Sequence, residues 1–312
     1  MPLSRSAPER DRALAAALLL FALVLFAWTH RHALTLPGFA DDLGLLAEMP
    51  RRAADGSLGS DVLARLTGAL WPGSTMWRPV PYLSFALDSV VWGDHGGAWR
   101  LTNLALHLTS AALTGWLAVA LQRAFSASNA ATASERNRVA CAAAAVFLLA
   151  PWVPEVTLWI VGRFDGWATA AVLFSTLAFA RVLDDAMLQA QAKKWAPASL
   201  IAGALAYASK ESAMVLPVWL CILAAAHWLL RRNDAATTDG QPRARPVARS
   251  ALLLAHFGLA VAHWGWRRYL FAGSAASVYG SGPQHNVVAL LDALSAHAAF
   301  PLGLAHAAPA AA

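Results

Sequence analysis

Charge is what this chain has least of. Only 13% of its 312 residues are Asp, Glu, Lys or Arg, against roughly 25% in ordinary soluble chains. Hydrophobic residues make up 58%, and the mean hydropathy is +0.48. That balance excludes an ordinary soluble domain and points to a membrane protein. Cysteine is nearly absent too. The only two, Cys141 and Cys221, both sit inside apolar runs, so neither a disulfide framework nor a thiolate metal site is indicated. Missing as well is any continuous basic stripe or recognition motif for nucleic acid. The net charge is +6, but the Lys and Arg residues lie between apolar runs, so nucleic acid is not an implied partner and membrane topology accounts for the charge.

What the chain does have is long apolar runs. A bilayer core about 30 Å thick calls for about 20 apolar residues per helix. On that basis spans are expected at about 13–29, 99–122, 139–155, 166–183, 198–210, 212–230, 251–267 and, more weakly, 286–305, with a low-complexity tail at 306–312. The first run follows Arg5, Arg10 and Arg12 as a signal peptide would. No small-x-small cleavage site follows it, so it reads as a first spanning helix. The polar SKES (Ser209 to Ser212) divides 198–230 into two helices meeting at a turn. Pro81 to Trp92 is only a dozen residues long and carries Asp88, so it reads as a re-entrant or interfacial helix within a long first loop, 30–98. In the same loop, 43–49 and 59–70 have the periodicity of short amphipathic helices. With the N-terminus in the cytoplasm, the inner connections hold 14 of the 24 basic residues and 7 of the 18 acidic ones, as the positive-inside rule requires.

This topology gathers scarce polar groups on the outer side. Asp41, Asp42, Arg78, Asp88, Arg100, Asn103, His107, Glu155, Arg163, Asp165, Lys210, Glu211, Arg267 and Arg268 all fall in outer segments or in the outer parts of spans. Charges at membrane depth pair with one another or line a hydrated cavity. Each group also has a structural reading. The Asp pair could simply be solvated, His107 could pack, and Lys210 with Glu211 could neutralise each other. Arg163 and Asp165 could start a helix, and Arg267 with Arg268, beside Trp264, Trp266 and Tyr269, could anchor an interface. Most of the other Trp residues read as interfacial.

Five stretches, in order, carry a resemblance. They are FADD (Phe39 to Asp42), WRPVPYLSFALDSVVWG (Trp77 to Gly93), WRLTNLALHLTSAAL (Trp99 to Leu113), APWVPEVTLWIVGRFDGWA (Ala150 to Ala168) and ASKESAMVLP (Ala208 to Pro217). Together they resemble the type C membrane glycosyltransferases, specifically the bacterial relatives of the tetratricopeptide-containing transmembrane O-mannosyltransferases. One departure is Ala150-Pro151 where the family commonly has His-Pro.

The resemblance implies an all-α polytopic membrane protein of the type C fold, for which the apolar runs above supply about seven or eight spans. It implies residence in the cytoplasmic (inner) membrane with the active face periplasmic or extracellular. The implied activity is inverting transfer of a sugar from a polyprenyl-phosphate carrier to an acceptor hydroxyl on a protein, lipid or polysaccharide. Such a reaction needs a carboxylate base and cations for the leaving phosphate. Asp41 aligns with the family's acidic position and is the expected base. Asp42 would orient it, or the two would share a divalent cation, and sequence does not separate their roles. Arg78, Arg163 and Lys210 are expected at the phosphate, with Glu155, Asp165, Glu211 and His107 around phosphate or sugar. The alternatives are a lipid or glycan transporter or flippase, and a truncated non-catalytic relative. No internal repeat of the kind common in transporters is visible.

Overall fold

The computed structural model describes residues 7–71, 74–125, 132–184, 189–235 and 246–271. The predicted span 286–305 and the tail 306–312 lie outside the described residues. Within them every regular element is helical, and no strand occurs. The order is α1 (Ala7–Thr29), α2 (Asp42–Ala54), α3 (Leu58–Leu66), α4 (Pro79–Trp92), α5 (Gly96–Phe125), α6 (Ala133–Leu148), α7 (Val153–Thr157), α8 (Arg163–Leu183) and α9 (Gln189–Tyr207). A short 3₁₀ turn (Glu211–Val215) then leads into α10 (Leu216–Ala235), and α11 (Pro246–Leu270) follows.

Four helices are long and apolar enough to cross a bilayer: Arg10–Thr29, Gly96–Phe125, Arg163–Leu183 and Glu211–Leu230. By length and composition, the described residues are those of an α-helical membrane protein. The segment read as a span over 139–155 is interrupted: α6 stops at Leu148, and the chain turns before the five-residue α7. A helix of 16 residues is about 24 Å long at 1.5 Å per residue.

α8 is the axis of the bundle. Two thirds of its most apolar stretch is buried (67%), against 17% for α1. Its buried Ala168, Ala170, Ala171, Ala178 and Ala180 are small enough to let neighbouring backbones approach closely. One core cluster joins Phe179, Leu183, Tyr207, Leu216, Leu220 and Leu252, from α8, α9, α10 and α11. Among these helices a polar clasp also forms, with Ser199 Oγ 3.2 Å from Ser175 Oγ and 3.0 Å from His256 Nε2. A second cluster, Leu45, Met49, Tyr82, Phe85, Trp99, Ile160 and Phe164, roots the first loop onto the start of α8. Trp99 is wholly buried there and donates to the Gly93 carbonyl, so it is a core residue and not an interfacial one.

Two rivets fix this loop-bearing end. The guanidinium of Arg100, fully buried, donates to four carbonyls: Leu158 (2.6 Å), Leu36 (2.5 Å), Pro37 (2.6 Å) and Ala33 (3.3 Å). That ties the chain leaving α1 to the α7–α8 turn. Gly97 allows the approach, because a β-carbon there would fall 1.8 Å from the Leu34 carbonyl oxygen. The other rivet is Asn103, whose amide donates to the carbonyls of Val156, Trp159 and Ile160.

Candidate functional site

Asp41 and Asp42 take opposite directions. Between Phe39 and Asp41 the backbone passes through Ala40 at φ +50°, a left-handed conformation that a non-glycine residue adopts rarely and at a cost. The twist ends the chain's descent from α1 and starts α2 at Asp42. Asp42 is fully buried. Its carboxylate accepts from the backbone N–H groups of Val161 (3.0 Å), Ile160 (3.3 Å) and Phe39 (3.4 Å). Burial pushes its carboxyl above the ordinary range, while those three N–H groups and the nearby Arg100 pull the other way. Asp41 stays exposed and makes no capping bond to α2.

The idea that the two aspartates share a divalent cation does not survive this geometry. The Asp42 oxygens are already taken by three amides pointing into the fold. Among the described residues no group of three or more His, Cys, Asp or Glu side chains could hold a metal. Asp42 is an anchor for the turn that it grips.

Glu155 lies on the same turn. Gly162 packs so tightly against it that a β-carbon would sit 2.3 Å from the Glu155 carbonyl oxygen. The Glu155 side chain is exposed, so Asp41 and Glu155 are two accessible carboxylates flanking one turn.

The expected cations divide into two kinds. Arg163 is completely buried at the start of α8. Its Nη2 lies 2.5 Å from Asp88 Oδ2 and 2.5 Å from the Trp99 carbonyl, its Nε donates to Asn103 (2.8 Å), and it stacks over Phe85 at 4.5 Å. Asp88 is completed by the Thr102 hydroxyl at 2.9 Å. So engaged, Arg163 has no face left for a phosphate and is a structural hub. His107 is likewise internal. Its Nε2 lies 3.3 Å from the Leu148 carbonyl, and its ring stacks between Phe26 and Phe147. It is a packing residue and does not meet the other site groups.

Arg78 and Arg267 do converge, on Glu211. Arg78 donates to both oxygens of Glu211, with Nη2 at 2.7 Å from Oε2, and lies 4.8 Å over the Phe164 ring. Arg267 Nη2 reaches the other Glu211 oxygen at 3.6 Å and donates to the Thr75 carbonyl at 2.9 Å. Lys210 turns away from Glu211 and pairs with Asp165 at 2.5 Å. The reading of Lys210 and Glu211 as mutually neutralising is therefore replaced. The 3₁₀ turn starting at Glu211 sends the two side chains to different helices. Arg267 is also not the interface anchor that its aromatic neighbours suggest. Only Arg268 behaves so, lying over Trp264 at 5.8 Å. Lys210 and Asp165 remain partly exposed, at 28% and 42% of their side chains.

A further polar cluster was not singled out from the sequence. Asp61 gathers Arg52 (2.9 Å), Arg65 (3.3 Å) and the Tyr82 hydroxyl, joining α2, α3 and α4. The spacing of Arg52 and Asp61 across a loop carries no periodic signal that would have found it.

The site therefore has two accessible carboxylates, Asp41 before α2 and Glu155 in α7, and a set of cations held by carboxylate partners, at the loop-bearing end of the described helical bundle. No family model matches the chain, and neither a curated protein nor a solved structure matches it.

Proposed function

We propose that the protein is a membrane glycosyltransferase that moves a sugar from a polyprenyl-phosphate carrier to an acceptor hydroxyl. In this reading the bundle has seven or eight spans and a type C fold, and lies in the inner membrane with its loop-bearing end outward. The observation that carries the reading is the opposed setting of the two aspartates. Asp42 is pinned by the amides of residues 160 and 161, and this holds the exposed Asp41 in a fixed place beside the turn. A positioned carboxylate within reach of a hydroxyl is what general-base chemistry requires.

The step is a single displacement. Asp41 takes the proton of the acceptor hydroxyl as its oxygen bonds to the anomeric carbon. The bond from that carbon to the carrier phosphate breaks, and the electron pair leaves with the phosphate. Cations close to the leaving phosphate stabilise the growing charge. Lys210 and Arg78 supply that charge as the phosphate competes with Asp165 and Glu211 for them. Arg's planar fork suits phosphate bidentately and Lys serves as a point charge. Arg163 acts here through position, by holding Asn103 and hence the 156–160 turn.

The test is transfer from a polyprenyl-phosphate sugar in proteoliposomes carrying Asp41→Asn, Glu155→Gln or both. The expected result is loss of transfer in Asp41→Asn with the melting profile unchanged. Wild-type transfer in the double variant removes the site.

A further inference from the structure

Helix α4 is apolar on its outward face and mixed on its inward one, where Phe85 and Ala86 are buried together with its polar residues. Its exposed residues are Leu83 (46%), Leu87 (59%), Val90 (67%), Val91 (64%) and Trp92 (40%). Each of them is a large apolar side chain. Its polar residues Tyr82, Ser84, Asp88 and Ser89 are all buried. Leu83, Leu87, Val90 and Val91 recur at i, i+4, i+7 and i+8, which places these four on a single face of the helix, with Trp92 at its end. In water an outward face would carry polar residues, since a surface helix turns its apolar stripe to the core. Here the inward face carries the polar contacts: Ser84 Oγ to Arg163 and to the Trp167 indole, and Asp88 to Arg163 and Thr102.

The outward stripe does not stand alone. α4 packs against α5, one of the four helices apolar enough to span, and α5 exposes Leu101 and Leu108. The apolar surface thus runs on from α4 to a spanning helix. Just past the C-terminus of α4, the chain changes character. Asp94 and His95 pair with each other while their side chains are 85% and 82% exposed. A patch of this kind on a soluble surface marks a partner or a membrane. A wholly apolar outward face, continuity with a spanning helix and an abrupt charged end select the membrane.

We propose that α4, too short to cross, is sunk into one leaflet of the bilayer with its Leu83–Leu87–Val90–Val91 face against the acyl chains and Asp94–His95 at the polar boundary. The partner is the lipid itself. The first loop is then a membrane-seated platform and not a free extramembranous loop. Arg78, at the N-terminus of α4, and Arg163, beneath it, are held at a depth set by how α4 sits in the leaflet. This inference is independent of any transfer chemistry.

The test places single spin-labelled cysteines at Leu87, Val90 and Asp94 in the full-length chain with Cys141→Ala and Cys221→Ala, reconstituted in vesicles of phosphatidylcholine and phosphatidylglycerol. Collision rates with oxygen, which concentrates in the bilayer, are compared with those of a water-soluble nickel chelate. The labels replace exposed side chains, and unaltered elution of each variant in detergent establishes that it is folded. The oxygen-to-nickel ratio is expected to be several-fold higher at Leu87 and Val90 than at Asp94. Nickel-dominated collisions at Leu87 and Val90 would overturn the proposal by showing a water-facing helix. Low collision rates with both reagents would overturn it equally, by showing a protein partner or a second copy over the stripe.

Discussion

Arg78 and Glu211 face each other across 133 positions of sequence and are joined by a forked contact, with Nε at 3.2 Å and Nη2 at 2.7 Å from Oε2. The contact links the start of α4 to the turn between α9 and α10. It is shared, since Arg267 of α11 leans on the same carboxylate. Three separate parts of the chain therefore meet on one acid.

That sharing predicts coupling. Glu211→Gln removes the charge that both arginines face and is expected to cost about 1–3 kcal/mol. Arg78→Ala leaves Glu211 able to shift toward Arg267, so Arg267→Ala should cost more in the Arg78→Ala background than in the wild type. Contacting residues typically couple by about 0.5–3 kcal/mol. Thermal unfolding in detergent of the two single variants and the double variant measures it. Simple additivity would show that Arg267 is held by the Thr75 carbonyl alone.

Arg163 makes a different prediction, of stability and not of activity. Its guanidinium serves Asp88, Asn103, Ser84 and the Trp99 carbonyl at full burial. Lysine has one nitrogen with three donors and no planar fork, so Arg163→Lys strands part of this set. The charge is kept, so the loss is of hydrogen bonds, about 1–3 kcal/mol for each buried polar group left unmet. The variant is expected to give little extractable, monodisperse protein and fast proteolysis within the first loop. Wild-type yield and protease resistance would contradict the hub role.

The sequence made the apolar helices legible because length and hydropathy are local properties. The four most apolar helices coincide with runs read directly from composition. The site was legible only as a set of residue types. Lys210 and Glu211 are neighbours in sequence, and adjacency suggested a pair, but a 3₁₀ turn separates their directions. Asp41 and Asp42 looked equivalent because the event that separates them is a positive φ at Ala40, where alanine gives no sign of it and glycine would have. Arg267 was masked by the aromatic residues beside it. Its true partner, Glu211, depends on how α11 crosses α9, which no local pattern encodes.

Lys210 and Asp165 form the accessible counterpart to the Arg163 hub. Their contact is short, but both side chains are partly exposed, and exposed ion pairs contribute about 0–1 kcal/mol. Lys210→Gln should therefore leave the melting temperature nearly unchanged while lowering transfer from a polyprenyl-phosphate sugar. Lys210→Arg should retain more of the rate. Equal loss in both variants would show that geometry and not charge is limiting, and a large fall in melting temperature would make the pair structural.

Asp42 gives a pH test whose sign follows from its surroundings. Burial raises its carboxyl above the ordinary value, with the Val161, Ile160 and Phe39 amides opposing. A raised acid binds its proton more tightly in the folded state than in the unfolded one. The stability that it contributes is then fully present below the ordinary carboxylate range and is lost as pH rises through the raised folded value. Wild-type melting temperature should fall across that window, and Asp42→Asn should flatten the fall because nothing is left to titrate there. The substitution carries its own penalty. One carboxamide oxygen cannot serve the amides that two carboxylate oxygens serve, and a buried donor left without an acceptor costs about 1–3 kcal/mol. The Asn variant should thus be the less stable of the two throughout, with the gap narrowing as pH rises. Parallel melting curves for the two proteins over the whole range would show that the Asp42 proton is bound equally in the folded and unfolded chains, and that the grip on the 160–161 turn is a matter of hydrogen bonds alone.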